Sequence, residues 1–181
     1  GGRLKGYGWI CNGWEPLRDA MLCVTELLDN RAGGILSELD LLDVMNHLGT
    51  VLSTRRAAEL GELDYGHPRW EEFARAKANW WERGASHRQQ SNNSLVFWSR
   101  PSKRELRDLM QLIWECGGSE PGFINGAAAL RRAPWFEGVN PCGEILLPSE
   151  GVCNLVTVAA PKFGDNFQAL SRAIYVMARA N

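Results

Sequence analysis

The sequence predicts an α/β fold with mainly parallel strands. Helical patterns several turns long alternate with short runs rich in β-branched and aromatic residues, an order that favours strands joined by helices. Hydrophobic residues make up 45% of the chain and charged residues 23%, ordinary values for a soluble globular protein. The chain shows no internal repeat and no low-complexity segment, so it indicates one domain or part of one.

The N-terminal region contains a weak strand signal followed by two helices. The glycine-rich stretch 1–13 gives only a loose strand pattern. Pro16 is tolerated in a first helical turn, and the apolar spacing after it predicts a helix over 15–33 that a glycine pair ends. Ser37 is a predicted N-cap with acidic residues in the turn after it, and the second helix carries its apolar face over 41–51.

The middle of the chain alternates between helix and strand signals. A short apolar segment lies near 58–63, and a helix is predicted over 67–84 from its aromatic and alanine spacing. The polar stretch 89–93 is typical of a turn. Residues 94–98, Ser-Leu-Val-Phe-Trp, form the clearest short strand.

The C-terminal part is predicted to contain two helices, a turn and a strand. Ser102 and Glu105 have the spacing of a capping box, and the helix after them is predicted to direct four side chains inward: Leu106, Leu109, Met110 and Ile113. Residues 121–125 are interpreted as a tight turn or loop, and 155–158 as a strand. Asp165 is the predicted cap of a final helix with one apolar face: Phe167, Leu170, Ile174 and Met177.

Charge and cysteine content exclude several classes of protein. The net charge is −1, so no global charge attracts the chain to nucleic acid or to an anionic membrane. The apolar runs are far too short to cross a membrane, and no signal peptide is visible. The five cysteines are odd in number and lack CxxC spacing, which favours a reducing, cytoplasmic compartment over a secreted disulfide framework.

Both ends of the chain favour a fragment of a longer protein. The sequence starts at Gly1 without an initiator methionine, and the last helical pattern runs to Asn181 without a stop signal. The eight tryptophans are many for this length, and tryptophan usually marks buried or interface area. We therefore expect the whole of 1–181 to be part of one larger domain.

The stretch 140–154 carries the clearest chemical signal. Asn140, Cys142 and Glu144 alternate, so an extended backbone would place an amide, a thiol and a carboxylate on one face. On one interpretation the thiol reacts, the carboxylate moves a proton and the amide holds the substrate. On the other, Cys142 is a buried cysteine beside a turn, and spacing alone favours neither.

Other candidate residues give weaker signals. Cys153 has the chemistry of a metal ligand or a redox thiol, but no ligand set with zinc spacing surrounds it, so no metal site is predicted. Arg55 and Arg56 either form a solvated corner or contact phosphates, with the neighbouring Thr54 suited to the second role. The remaining cysteines and the helical histidine are interpreted as structural or surface residues: Cys11, Cys23, Cys116 and His47.

The motif Asn-Pro-Cys-Gly-Glu-Ile at 140–145, followed by Val-Cys-Asn-Leu at 152–155, resembles the catalytic subunit of ribonucleotide reductases. The resemblance is closest to the adenosylcobalamin-dependent class, and within it to the monomeric ribonucleoside-triphosphate reductases and related phage enzymes. Four further segments agree in order: 3–8 with 15–17, 54–58, 91–94 and 118–125. The resemblance therefore covers nearly the whole chain and suggests a phage or bacterial source.

The resemblance implies a fold and a role for each motif residue. The fold is a ten-stranded α/β barrel with Cys142 on a central finger loop. Cys142 becomes a thiyl radical that removes the ribose 3′-hydrogen, Glu144 is the base on the 3′-hydroxyl, and Asn140 binds a substrate hydroxyl. Cys153 is one of two thiols that reduce the 2′ position.

The same resemblance implies the cofactor and partners. These are adenosylcobalamin, a ribonucleotide di- or triphosphate, a deoxynucleotide or ATP effector, and a thioredoxin-like reductant. Thr54, Arg55 and Arg56 correspond to the loop that relays the identity of the effector to the substrate base. No cysteine matches the second redox thiol, so Cys142 and Cys153 are not expected to form a disulfide. The cobalamin contacts are expected outside this chain, so the fragment alone is predicted to be inactive.

Three other interpretations remain open from the sequence. The first is the same catalytic subunit served by a different radical generator. The second is a cysteine-dependent hydrolase, which needs a histidine within reach of Cys142; the candidates are His47, His67 and His87. The third is a non-catalytic nucleotide-binding module built around Arg55 and Arg56.

Overall fold

The computed structural model of the chain describes residues 1–3, 5, 10–51 and 59–180. They divide into two compact units, Gly1–Ser149 and Glu150–Asn181, and each is described by itself below. The first unit holds the parallel sheet and the hairpin that carries Cys142.

The first unit is a mixed α/β structure. Its elements in chain order are β1 (Gly2–Arg3), β2 (Ile10–Cys11), α1 (Glu15–Asn30), α2 (Glu38–Gly49), β3 (Glu59–Asp64), α3 (Trp70–Ala74), β4 (Ser91–Phe97), α4 (Lys103–Glu115), β5 (Gly122–Asn125), α5 (Gly126–Arg132), β6 (Gly138–Val139) and β7 (Leu146–Leu147). A short 3-10 helix, Ser86–Gln90, precedes β4. The predicted α/β class with parallel strands is confirmed.

The centre of the unit is a three-stranded parallel sheet in the order β3-β4-β5. The β3–β4 register runs from Glu59 opposite Ser91 to Asp64 opposite Val96. The central strand is the most buried, as expected for a strand covered on both faces.

One face of the sheet packs against helices α2, α3 and α4. Its main buried cluster contains Leu42, Phe73, Leu95, Phe97, Leu109 and Leu112. The approach is close at Gly61, where a Cβ atom would lie 3.0 Å from Leu42 Cδ1 and 3.2 Å from Phe73 Cζ. A larger residue at Gly61 would therefore require the Leu42 and Phe73 side chains to shift.

The opposite face of the sheet packs against α5 and the β6–β7 hairpin. A second cluster joins them: Ile124, Ala129, Ala133, Phe136, Val139 and Leu146. At Gly126 a Cβ atom would lie 2.7 Å from Val96 Cγ1, so glycine is needed where α5 begins against β4. The two faces of the sheet therefore carry different layers, with the long helices on one side and the hairpin on the other.

The local helix signals are largely confirmed. Ser37 Oγ accepts a hydrogen bond from Asp40 N at 3.2 Å, and Asp40 Oδ2 accepts one from Ser37 N at 2.8 Å. Ser102 and Glu105 form the predicted capping box at the start of α4. The predicted inward face of α4 is only partly right, since Leu109 is buried but Met110 is half exposed.

Three segments of the sheet and its helices differ from the predictions. The turn predicted at 89–93 is wrong at 91–93, because β4 begins at Ser91. The helix predicted over 67–84 is wrong beyond Ala74, because the chain continues in turns and Asn79 takes a left-handed φ of 50° that a right-handed helix excludes. The turn predicted at 121–125 is also wrong, since Gly122–Asn125 is β5 and pairs with β4. Pairing with a distant strand overrides the turn signal of the Pro-Gly pair.

The second unit consists of an irregular segment, a short 3-10 helix (Ala160–Phe163) and α6 (Phe167–Ala180). The strand predicted over 155–158 is wrong, because the described residues of this unit contain no strand that could supply its hydrogen bonds. The predicted final helix is confirmed, but its cap is Asn166, whose Oδ1 accepts from Ala169 N at 3.0 Å. The apolar face of this helix is exposed, with Phe167 74% and Ile174 52% exposed.

None of the helices formed by the described residues is long and apolar enough to span a bilayer. This agrees with the short apolar runs of the sequence.

Candidate active site

Cys142 lies in the loop of the β6–β7 hairpin, residues 140–145, here called the cysteine loop. Val139 pairs with Leu146 and Gly138 with Leu147 in antiparallel register. A further hydrogen bond of 3.0 Å from Glu137 N to Leu147 O extends the hairpin. The two short strands therefore hold the ends of the loop together.

The cysteine loop turns sharply at Cys142. The carbonyl oxygen of Asn140 accepts a hydrogen bond of 2.8 Å from Gly143 N, which closes a four-residue turn with Pro141 and Cys142 at its corner. Proline is favoured at the first corner position, and Gly143 takes a φ of 85° that other residues rarely adopt. The extended backbone predicted here is therefore wrong at 141–143, and alternation does not place Asn140, Cys142 and Glu144 on one face.

Asn140 closes the loop across its base. Its side-chain oxygen accepts a hydrogen bond of 2.9 Å from Ile145 N, and its backbone N–H donates one of 3.2 Å to Ile145 O. Asn140 is 3% exposed, although it flanks an exposed loop. The residue predicted to bind substrate is thus also a structural member of the loop.

Two side chains of the parallel sheet form hydrogen bonds with the backbone at the start of the cysteine loop. Asn92 Nδ2 donates a hydrogen bond of 2.7 Å to the carbonyl oxygen of Pro141. Glu62 Oε1 accepts one of 2.9 Å from Val139 N. Burial raises the pKa of Glu62, and the hydrogen bond from Val139 offsets part of that rise.

Sequence reasoning missed Glu62, and it saw Asn92 only as part of a family segment. The available signal is a composition anomaly, because Glu and Asn are depleted in strands. Glu62 lies on β3 and Asn92 on β4. Their side chains point to the same face of the sheet, because Glu62 pairs with Ser94, which is two residues after Asn92. Polar residues on the buried face of a strand need partners, which the hairpin backbone supplies.

The reactive groups of the loop point to solvent. Cys142 and Glu144 are both exposed, and one glycine separates them. The interpretation of Cys142 as a buried cysteine is therefore wrong. Cys116 is buried, as predicted for a structural cysteine, whereas Cys23 is exposed on α1. The arrangement offers an accessible thiol and a nearby carboxylate on a loop with a fixed backbone.

The other predicted site residues lie elsewhere. Cys153 is half-buried in the second unit, whereas Cys142 belongs to the first. Thr54, Arg55 and Arg56 lie outside the described residues, as does the side chain of Cys11. Within the described part of the chain, no group of three or more His, Cys, Asp or Glu side chains is arranged to hold a metal ion.

The three histidines lie on the side of the sheet that is covered by helices. His87 Nε2 lies 2.8 Å from Asp43 Oδ1, and its ring stacks on His47 with centroids 3.9 Å apart. His67 lies 3.5 Å from Glu38. His47 belongs to α2, and His67 and His87 contact α2 residues, on the face of the sheet opposite the cysteine loop. The structure therefore does not favour a cysteine hydrolase, because no described histidine is paired with Cys142.

Comparison with known proteins places the chain beside one group of enzymes. It is 31% identical to the adenosylcobalamin-dependent ribonucleoside-triphosphate reductase of Lactobacillus leichmannii over 169 residues, 87% of this chain and 22% of that protein. The enzymes of the same name from Lacticaseibacillus paracasei and Lactobacillus acidophilus are 30% and 28% identical, over 87% and 93% of this chain and 22% and 24% of those proteins. The chain thus spans less than a quarter of the length of these relatives.

No protein-family profile matches the chain, and no solved structure matches it.

Proposed function

We propose that the chain is the central part of the catalytic barrel of an adenosylcobalamin-dependent ribonucleoside-triphosphate reductase, with Cys142 as the radical-carrying thiol. The observation that carries the proposal is the exposed Cys142 at the corner of a turn whose backbone is hydrogen-bonded on both sides. The similarity over 87% of the chain to enzymes of that name supports it.

The layers of the first unit fit this proposal. Helices α2, α3 and α4 cover one face of the parallel sheet, and the cysteine loop rests on the other. A barrel wall has this organisation when its helices face outward and the finger loop lies inside. The proposed domain extends over 1–181 and beyond the chain.

In the proposed reaction, Cys142 and Glu144 act in successive steps. A thiyl radical on Cys142 takes the 3′-hydrogen of the ribose, and Glu144 accepts the proton of the 3′-hydroxyl. The 2′-hydroxyl takes a proton from the dithiol and leaves as water, and Glu144 later returns its proton to the 3′-oxygen. Cys153 and a second thiol outside this chain supply two electrons and are oxidised to a disulfide, after which Cys142 returns the hydrogen to C3′. The sum is ribonucleotide plus dithiol to deoxyribonucleotide, water and disulfide.

Adenosylcobalamin, when bound, supplies the radical that oxidises the Cys142 thiol. The cysteine loop fits such a cofactor because its thiol is exposed and can be approached from outside the unit. Cobalt is held within a corrin ring, so the lack of a metal-ligand cluster among the described residues is compatible with it. The residues that hold the cofactor are expected mainly in parts of the enzyme outside this chain.

Asn140 has a proposed role toward substrate beside its structural role in the loop. Its side-chain oxygen accepts from Ile145 N, and we assign the amide nitrogen of the same side chain as the donor toward a substrate hydroxyl. The substrate hydroxyl would then be bound by the same side chain that closes the loop.

The remaining partners belong to the same proposal. Thr54, Arg55 and Arg56 would relay the identity of a deoxynucleotide or ATP effector to the substrate base. A thioredoxin-like protein would reduce the disulfide that contains Cys153, in the cytoplasm. The alternative is the same catalytic subunit with another radical generator, because the chemistry of the loop does not depend on where the radical originates.

The test is an assay of the longer protein that contains this chain. It is supplied with a ribonucleoside triphosphate, a dithiol and adenosylcobalamin, without a second protein subunit. We expect deoxyribonucleotide to form. Product that requires a metalloprotein subunit would contradict the cobalamin assignment, and no product with either generator would contradict the reductase assignment.

A further inference from the structure

We propose that Asn92 and Glu62 are positioning residues that fix the direction of the Cys142 thiol by holding the backbone of the cysteine loop. The inference rests on the proposed function of Cys142. It concerns two side chains on neighbouring strands of the sheet that are remote from the loop in sequence.

The two contacts bracket the start of the loop. Glu62 Oε1 accepts from Val139 N at 2.9 Å, and Asn92 Nδ2 donates to Pro141 O at 2.7 Å. The intervening residue, Asn140, is buried and closes the loop onto Ile145. Two anchors from two strands restrain both the position and the tilt of the loop relative to the sheet.

The Asn92 contact acts directly on Cys142 through the planar peptide. The carbonyl of Pro141 and the N–H of Cys142 belong to one peptide unit, so holding that carbonyl orients the plane that precedes the Cys142 Cα. The following plane contains Gly143 N–H, which donates to Asn140 O at 2.8 Å. Both peptide planes that flank Cys142 are therefore hydrogen-bonded, and the Cα–Cβ direction is set by the backbone.

The residue types match the groups they hold. A backbone carbonyl needs a donor, which the Asn92 amide supplies, and a backbone N–H needs an acceptor, which the Glu62 carboxyl supplies. The Glu62 contact needs an acceptor oxygen but no negative charge. Glutamine should therefore replace Glu62, whereas leucine should not.

Hydrogen abstraction makes the rate sensitive to this geometry. Reaction requires the thiol close to the 3′-hydrogen in a near-attack arrangement, and a displacement of about 1 Å lowers rates on the order of 100-fold. Loss of either anchor should therefore lower kcat. KM should change little, because neither anchor is proposed to contact substrate.

The experiment compares Asn92→Leu, Asn92→Asp, Glu62→Leu and Glu62→Gln in the longer protein. Asn92→Asp keeps the size of the side chain and removes the amide donor. It therefore provides the same test if Asn92→Leu fails to fold. Ser94→Ala is the matched control, since Ser94 stands two residues further along the same face of β4. The measurements are kcat and KM for nucleotide reduction, and amide hydrogen exchange of 139–145.

We expect Asn92→Leu, Asn92→Asp and Glu62→Leu to lower kcat about 10- to 100-fold with nearly unchanged KM. Exchange in the loop should rise about fivefold, the effect of losing one hydrogen bond. Glu62→Gln and Ser94→Ala should behave as the wild type in both measurements. Slow exchange in β4 and α4 identifies the variants that remain folded.

Three outcomes would overturn the inference. Unchanged loop exchange with unchanged kcat would show that the anchors do not hold the loop. Faster exchange with unchanged kcat would show that they only stabilise it. A raised KM with unchanged exchange would show contact with substrate. The exchange measurement needs no reductase activity, so failure of the anchors remains distinct from failure of the role proposed for Cys142.

Discussion

The side-chain oxygen of Asn140 accepts a hydrogen bond of 2.9 Å from the backbone N–H of Ile145, and this contact closes the loop that exposes Cys142. A buried amide thus supports an exposed thiol two residues away. The amide has a structural role that precedes any role toward substrate, and the two roles can be separated by mutation.

Asn140→Leu should lower the free energy of unfolding of the first unit by about 1 kcal/mol, because the Ile145 N–H loses its acceptor. Urea unfolding followed by tryptophan fluorescence measures this change. Glu144→Gln is the control, since Glu144 is an exposed residue of the same loop and its substitution should leave the stability nearly unchanged. Equal stability of the leucine variant and the wild type would contradict the structural role.

Asp43 should stabilise the fold above about pH 4 and lose that effect in acid. Burial opposes its ionisation, but hydrogen bonds from Arg88 and His87 outweigh burial and hold its pKa at about 2. Because the folded pKa is lowered, the unfolded chain binds the proton more readily as pH falls from about 4 to about 2. The contribution that is lost amounts to about 2 kcal/mol.

The measurement is the free energy of unfolding of the wild type and Asp43→Asn between about pH 5 and pH 2. The difference in the free energy of unfolding between the two proteins should be largest near the upper end of this pH range and shrink toward its lower end. Taking the difference cancels the contributions of the other carboxylates to the pH dependence. These include Asp40, whose pKa is also about 2 because of its hydrogen bond from Arg31. A difference that does not change with pH would contradict the assignment.

His47 should titrate below the ordinary histidine range. Burial lowers its pKa, and the neighbouring His87 lowers it further, against the opposing effect of Asp43. The lowered pKa means that stability is present above about pH 6.5 and is lost as pH falls below that value. An NMR titration of the His47 ring measures the pKa directly, and a value at or above 6.5 would be inconsistent with the stacked geometry.

The cysteines should differ in their rates of alkylation. Cys142 and Cys23 are exposed, so iodoacetamide should modify them in the folded chain, whereas the buried Cys116 should react only after denaturant is added. Mass spectrometry of the peptides measures each site. Modification of Cys116 as fast as Cys142 without denaturant would show that the α4 packing is wrong.

The sequence predicted features that depend on neighbouring residues. The capping box of Ser102 and Glu105 and the strand that includes Leu95 need only a few adjacent side chains, and both are confirmed. The strand Gly122–Asn125 was missed because its partner, β4, is distant along the chain and its proline and glycine favour a turn. The strand expected over 155–158 failed for the complementary reason, since the described part of its unit offers no partner.

The residues of the candidate site also fall into two groups, those that the sequence motif identified and those that only the structure reveals. The motif identified Asn140, Cys142 and Glu144 because they are adjacent, although the turn at Pro141 changed their arrangement. The anchors were beyond sequence reasoning, since Asn92 lies 49 residues from Pro141 and Glu62 lies 77 residues from Val139. Only the packing of the hairpin onto the sheet brings these groups together.

Substitution of Cys142 by serine in the longer protein tests the central claim most directly. The substitution keeps the size and polarity of the side chain but removes the thiol that must carry the radical. With adenosylcobalamin, a ribonucleoside triphosphate and a dithiol, we expect no deoxyribonucleotide from Cys142→Ser, and also none from Cys153→Ser. Reduction by Cys142→Ser at the wild-type rate would contradict the account.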